Sequence, residues 1–214
     1  MKLHLGCGQV YLDGYVNIDY PLTEHTVQQA SVADKFADIT KLRYKAGTIE
    51  EVRLHHVYEH FPRAQAVALM LSWNSWLKKG GKLTIEVPDF DAMTIIALSP
   101  LSSNRKRMLA LRHIFGSQEA QWAVHFNGWS AARLLELASL AGFTAAIHKP
   151  KPYKNLHNVV LEAHKVKSIK PKQALSIARK YLSMYLVDDS STEKKMLAEW
   201  MSQFETQVKR TWAR

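Results

Sequence analysis

The sequence predicts an α/β fold built on a doubly wound, mostly parallel sheet. Three observations carry that expectation. Short segments of strand character alternate with amphipathic helical segments along most of the chain, as in strand–helix–strand units. A tight Gly6-Cys7-Gly8 turn follows the first strand segment. Further polar clusters stand where later predicted strands end, so an open sheet would gather them along one edge, outside the carboxyl ends of its strands.

Alternation and β-branched content predict strands over 2–6, 15–19, 50–56, 82–88, 143–148 and 157–164, with a short one near 34–37. Only Gln9 to Gly14 separate the first two. A parallel crossover normally needs a dozen or more residues, so either the first helix is vestigial or the first strand pairs unusually. Helical spacing over 63–78 places Ala66, Leu69, Met70, Trp73 and Leu77 on one stripe. Lys78-Lys79-Gly80-Gly81 then supplies basic side chains and glycine at its end. Residues 89–128 form an insertion at the predicted ligand edge, with helices near 91–98 and 103–115, and suit a lid or substrate site. A helix over 129–141 stops at Gly142. Only Lys149 to Asn155 separate the last two strands, too few for a crossover helix, so these should form an antiparallel hairpin.

From Lys170 the character changes. Two amphipathic helices, over 172–187 and from Thr192 onward, flank Asp188-Asp189-Ser190-Ser191. The expected organisation is a core domain over 1–166, with 89–128 as its insertion, and a helical extension over 167–214. The stripe Met196, Leu197, Trp200, Met201, Phe204 and Val208 suits burial against another helix or a second subunit. A homodimer through these helices is one expectation.

Composition narrows the class. An apolar share of 47% over 214 residues is ample for a packed core. No run approaches the length of a membrane span, and the first residues read as a strand rather than a secretory signal. The single cysteine, Cys7, excludes an internal disulfide and suits a reducing cytoplasm. The net charge of +10 is uneven: residues 149–180 carry nine Lys/Arg against one acid, Glu162. Such a segment can steer phosphates or nucleic acid, or simply be a solvated face.

The stations at strand ends are Gly6-Cys7-Gly8, Asp19, Ala37-Asp38-Ile39-Thr40, His55-His56-Val57-Tyr58-Glu59-His60-Phe61 and Val87-Pro88-Asp89-Phe90-Asp91. A glycine turn admits a ligand close to the backbone, and a carboxylate ending the next strand can accept from both ribose hydroxyls. The pair points to a nucleoside-containing cofactor. A dinucleotide site expects Gly-x-Gly-x-x-Gly opening a helix and an acid about 20 residues later. Here Tyr11 stands three residues after Gly8, and Asp19 comes 11 residues on.

In these motifs, Leu3 to Gly8, Tyr15 to Asp19, Ala37 to Ile39, His56 to Phe61, Leu77 to Leu83, Val87 to Asp89 and His125 to Trp129, the chain resembles the Rossmann-like class I S-adenosylmethionine-dependent methyltransferases. More narrowly, it is similar to small methyltransferase-like proteins of bacterial cell-surface glycan synthesis, over about residues 2–164. The resemblance implies S-adenosylmethionine as cofactor. Gly6, Cys7 and Gly8 would lie along its methionine part and Asp19 at its ribose. Asp38 would accept from the adenine amino group and Ile39 would pack on the ring. His56 and Glu59 would lie near the transferred methyl. His60, Asp89 and His125 are candidates for a general base, with the histidines favoured because they titrate near neutrality. The implied acceptor is a sugar hydroxyl or a glycan or lipid-linked precursor, with the basic segment steering a phosphate group. An RNA methyltransferase using the same segment, and a non-catalytic cofactor-binding or scaffold protein, are the alternatives.

Plainer roles stand beside these. His4 between two leucines suits packing and Cys7 a small filler. Glu59-His60 and Asp89 could cap the helices that follow them. His55 and His56, adjacent on a strand, should face opposite sides, so no metal site is expected.

Overall fold

The computed structural model describes residues 1–21, 23 and 30–213. Seven strands form one sheet: β1 (Lys2–Leu5), β2 (Tyr15–Asp19), β3 (Lys35–Phe36), β4 (Ile49–His55), β5 (Leu77–Pro88), β6 (Phe143–His148) and β7 (Asn158–Lys165). Their order is β3-β2-β1-β4-β5-β7-β6. The first five are parallel, and β7 runs antiparallel to both β5 and β6. This is the predicted α/β sheet with its C-terminal hairpin. The helices are α1 (Arg63–Trp76), α2 (Phe90–Leu98), α3 (Asn104–Phe115), α4 (Ala131–Leu140), α5 (Pro171–Ser183) and α6 (Ser191–Thr211).

The short link between β1 and β2 is settled in favour of a lost helix. The two strands pair in ordinary parallel register, Leu3 opposite Val16 and Leu5 opposite Ile18. Turns replace the helix. Val10 N–H donates to Cys7 O at 2.9 Å, and Tyr15 N–H to Leu12 O at 3.3 Å. The buried Asn17 side chain satisfies Leu12 from both sides, accepting from its N–H at 3.0 Å and donating to its carbonyl at 3.1 Å. The same amide oxygen meets His4 Nδ1 at 3.1 Å, which gives the buried His4 its packing role.

One set of alternating strand residues, Leu3, Leu5, Val52, Leu54, Leu83, Ile85, Val159 and Leu161, is buried in the core. The alternate set is largely polar: Arg53, Lys82, Thr84, Glu86 and Glu162. The core is completed by Trp73 and Trp76 of α1, Trp129, Leu134 and Leu137 near and in α4, and Tyr181, Met201 and Phe204 of the last two helices. The C-terminal helices therefore share the core of the sheet. Trp76 Nε1–H donates to Thr211 O at 2.6 Å, and the Ser72 and Thr211 hydroxyls meet at 2.8 Å. Arg63 lies over the rings of Tyr185 and Trp200, at 4.3 and 4.9 Å. The apolar stripe of α6 is thus turned onto α1 and α5.

Helix α1 also ends differently from expectation. It stops at Trp76, and Leu77 already pairs with Ile49 across the sheet. Its last carbonyls are not met by Lys78 or Lys79. The buried Lys165 ammonium of β7 instead donates to Asn74 O at 2.6 Å and to Leu77 O at 2.7 Å. A cation from a distant strand thereby caps the negative end of the helix, and burial pulls its pKa down.

Phe204 is fully buried between α6 and the core. Phe204→Ala should cost about 3–5 kcal/mol of stability, measured as a lowered urea midpoint with an unchanged slope.

Candidate functional site

A cavity of about 760 Å³ opens at the carboxyl ends of β1, β2 and β4, and its walls include Gly6, Cys7, Gly8, Asp19, Asp38 and Ile39. Gly6 (φ +72°) and Gly8 (φ +55°) take the left-handed conformation that glycine adopts without penalty. Gly6 has a further reason to be glycine. A Cβ there would stand 2.3 Å from Val57 Cγ2, so the close approach the position serves includes one inside the fold. Cys7 is buried, and burial together with the Asp19 charge pushes its thiol up to about 11. It is a filler and not a nucleophile.

Asp19 is 5% exposed. Its carboxylate accepts from Tyr20 N–H at 2.8 Å and from the Ser31 hydroxyl at 3.2 Å. Asp38 caps the 3-10 turn over Ile39–Lys41, accepting from Thr40 N–H and Oγ1 at 2.9 and 2.6 Å and pairing with Lys41 at 3.1 Å. Burial works against its ionisation, but these bonds outweigh it and hold its pKa below the usual carboxylate range. The turn is tied from behind by α6. Gln207 Nε2 donates to Thr40 O at 2.7 Å, and Gln65 Nε2 donates to Gln207 Oε1 at 3.0 Å.

A second cavity, of about 410 Å³, adjoins the first, and both share His56, His60 and Trp122. Its walls include Glu59, Arg112, His113 and His125. Glu59, expected beside the cofactor, lines this second cavity and not the first. It does not cap α1 either: the N-cap there is Pro62, with no side-chain bond. Asp89, a candidate base, lines neither cavity. It caps α2 through Ala92 N–H at 3.3 Å and pairs with Lys149 at 2.7 Å, which is the structural alternative its position allowed.

The histidines are held by their Nδ1 atoms. His60 Nδ1 meets Val124 O at 3.1 Å, and His125 Nδ1 meets His113 O at 3.0 Å. A carbonyl can only accept, so each Nδ1 carries a proton, and in the neutral tautomer this selects the lone pair stands on Nε2. His125 Nε2 lies 3.9 Å from Glu59 Oε1, and the His60 and His125 rings stand edge to face at 4.7 Å. Burial lowers the pKa of His113 and of His125, which favours their neutral forms.

His56 departs from the strand. Its φ of +54° lies in the left-handed region, costly for a side chain but tolerated more often by histidine than by bulkier residues. Strand alternation therefore fails here, and the His55 and His56 rings meet at 4.7 Å with Glu86 beside them. This corrects the expectation that the two would face opposite sides. His56 Nδ1 lies 3.3 Å from Glu59 Oε1, and its Nε2 faces Asn158 Nδ2 at 3.0 Å. Two influences oppose at this ring. Burial lowers its pKa, but the Glu59 bond and the two carboxylates outweigh it in favour of imidazolium. The Asn158 amide, pinned by Nδ2–H donation to Glu86 at 2.8 Å, instead presents a donor to Nε2. Only a neutral ring satisfies every partner in that arrangement. Asn158 Oδ1 in turn meets His113 Nε2 at 3.0 Å.

Neither Asn158, His113, Glu86 nor Gln207 was visible from motif spacing. They reach the site from β7, α3, β5 and α6, at places where the local sequence carries no distinguishing pattern.

No protein-family model matches the chain, and no curated protein matches it. Solved structures do. A chain of the complex between the Trm112 methyltransferase activator of Haloferax volcanii and its candidate methyltransferase partner is 13% identical, with a TM-score of 0.54 over 79% of this chain and 83% of that one. The 1,6-didemethyltoxoflavin-N1-methyltransferase of Burkholderia thailandensis, solved with S-adenosylhomocysteine, is 15% identical, with a TM-score of 0.51 over 78% and 71%. The chain spans 62% of the length of a candidate exported protein from Bordetella parapertussis, at 18% identity, 78% of this chain and a TM-score of 0.47. At these identities the likeness establishes the fold.

Two outcomes are expected. Removing the tie from α6 with Gln207→Ala should loosen the Asp38–Lys41 turn and weaken any ligand of the larger cavity several-fold, measured by calorimetry with S-adenosylhomocysteine. The His55 bond, opposed by burial and aided by Asn158, holds the Glu86 carboxyl at about 2, against an ordinary 4.5. Its stabilisation is therefore complete above pH 4.5 and is lost as pH falls toward 2. Urea unfolding across that window should show a shallower acid loss in Glu86→Gln than in the parent.

Proposed function

We propose that this protein is a methyltransferase. It binds S-adenosylmethionine in the larger cavity and passes the methyl group to a hydroxyl of a polar acceptor held in the smaller one. The observation that carries this reading is the adjacency of the two cavities across His56, His60 and Trp122. The larger cavity carries a glycine turn and two strand-end carboxylates at the edge where open α/β sheets bind ligands, and the likeness of fold to methyltransferases supports the cofactor.

In this reading Gly6, Cys7 and Gly8 line the methionine end, and Asp19 accepts from the ribose hydroxyls. Ile39 packs on adenine, and Asp38 offers the adenine amino group the acceptor capacity that Thr40 and Lys41 leave. The reaction is a displacement at carbon. The acceptor oxygen forms a bond to the methyl group as the methyl–sulfonium bond breaks, and the electron pair remains on sulfur. The hydroxyl proton passes to an imidazole Nε2, of His60 or His125. Alignment by the two cavities can supply about 7–11 kcal/mol, and proton removal adds about 10²–10⁴-fold in rate. Arg112 gives the acceptor cavity a cationic wall, suited to an acceptor that carries a phosphate or carboxylate. A sugar or lipid-linked glycan precursor has that chemistry.

The RNA reading is weaker. Two of the cations in the basic segment serve the fold, Lys149 on Asp89 and Lys165 on the end of α1. That leaves a smaller surface for phosphates than composition promised.

Calorimetric titration with S-adenosylmethionine and S-adenosylhomocysteine tests the cofactor. Binding should be weakened on the order of 10- to 100-fold in Asp19→Ala, the loss of one or two charge-assisted hydrogen bonds. In His60→Ala and His125→Ala it should stay within about threefold of the parent, since neither ring lies at the Asp19 end. An absence of binding in the parent protein would refute the reading and favour a non-catalytic role.

A further inference from the structure

Glu59 is 1% exposed, and among the described residues its Oε2 has no hydrogen-bond partner. A buried carboxylate with an unanswered oxygen is costly unless a cation meets it. His60 and His125 direct their Nδ1–H groups away from it, toward Val124 O and His113 O. His56 meets Glu59 Oε1 through Nδ1 at 3.3 Å, and the Nε2 atoms of His60 and His125 are the ones those carbonyls leave untaken. Glu59, His60 and His125 each offer one donor atom, all within 4.8 Å of one another. Donors at about 2.0–2.2 Å from one ion stand roughly 3–4 Å apart, so a small side-chain adjustment brings the three onto a common centre.

From this geometry we infer a site for a divalent first-row transition cation, held by Glu59 and by Nε2 of His60 and His125, at the wall between the two cavities. The two backbone carbonyls have the part that outer partners play in metal sites: each fixes the tautomer and aim of a ligating imidazole. Two histidines and one carboxylate, with the remaining positions facing a cavity, suit Mn²⁺, Fe²⁺ or Zn²⁺ more than Ca²⁺ or Mg²⁺. The neighbouring set of His55, His56 and Glu86 differs. There Glu86 already accepts from Asn158 and pairs with His55, and His56 Nε2 already accepts from Asn158.

The cation assignment stands on side-chain geometry, and only its catalytic meaning rests on the methyl-transfer reading. A cation there would serve as a Lewis acid that acidifies an acceptor hydroxyl, whose proton would pass to solvent through the open cavity, and His60 and His125 would then hold the ion in place of taking the proton.

The test is calorimetry of the chelator-treated full chain with MnCl₂ and, separately, ZnCl₂, with S-adenosylhomocysteine titrated into the same preparations. One saturable site is expected, weakened at least about tenfold in His125→Ala, His60→Asn and Glu59→Gln and unchanged in His55→Ala. Circular dichroism on each variant shows which are folded, and His125→Ala decides the matter if the buried Glu59→Gln does not fold. Absence of a saturable site would overturn the inference, as would binding lost in His55→Ala but kept in His125→Ala. Cofactor binding without metal binding would refute the cation site alone. Metal binding without cofactor binding would refute the methyl-transfer reading and leave the cation site standing.

Discussion

The site depends on how the chain turns after β4. Tyr58 is fully buried, stacks on Trp129 at 4.8 Å with 16° between the ring planes, and donates its hydroxyl to Ala66 O at 2.8 Å. Those contacts fix the orientation of the residues on either side of it. Val57 comes to rest against Gly6 and so shapes the glycine turn. Glu59 and His60 point into the wall between the cavities. The Glu59 carbonyl also accepts from Phe126 and Asn127 N–H, at 2.9 and 3.3 Å, which draws the segment bearing His125 onto the same turn. One aromatic stack thereby sets the relative positions of cofactor turn, carboxylate and both histidines, which are far apart in sequence.

The electrostatics of the cluster follow from the partners each ring is given. Carbonyls hold His60 and His125 by Nδ1 and leave Nε2 basic. Asn158 links His56, His113 and Glu86, so that the proton on one ring constrains the others. Glu59, buried beside His56, His60 and His125, gives these three imidazoles a shared acid partner. The larger cavity is chemically separate. Its carboxylates, Asp19 and Asp38, answer to backbone N–H groups and hydroxyls, with Lys41 beside Asp38.

The C-terminal helices belong to this machinery although they lie outside the stretch that resembles methyltransferases. Helix α6 packs beside α1 and against the Ile39–Lys41 turn, and Gln207 passes its position to Thr40. A segment that reads as an appendage in composition is thus a wall support for the Asp38 side of the larger cavity. Its hydrogen bonds to α1 and its buried aromatic residues form one continuous packing with the sheet.

The sequence by itself determined the strands, most helix limits and the antiparallel hairpin, and it singled out several residues that line the larger cavity, Gly6, Gly8, Asp19 and Asp38 among them. These follow from local periodicity and from the rule that ligands gather at strand carboxyl ends, and both are legible one segment at a time. The fate of the Gln9–Gly14 link, the capping of α1 by Lys165 and the docking of α6 were decided by tertiary structure, because each depends on a partner distant in the chain. The same holds within the site. Spacing singled out Glu59, His60 and His125, but not that Glu59 would face the second cavity. Nor could it show that Asp89 would be taken up by a helix cap and Lys149, or that a left-handed His56 would turn its ring onto His55. A hydrogen-bond partner from another strand or loop fixes where a side chain points and which proton it holds, and that partner is chosen only when the whole chain has packed.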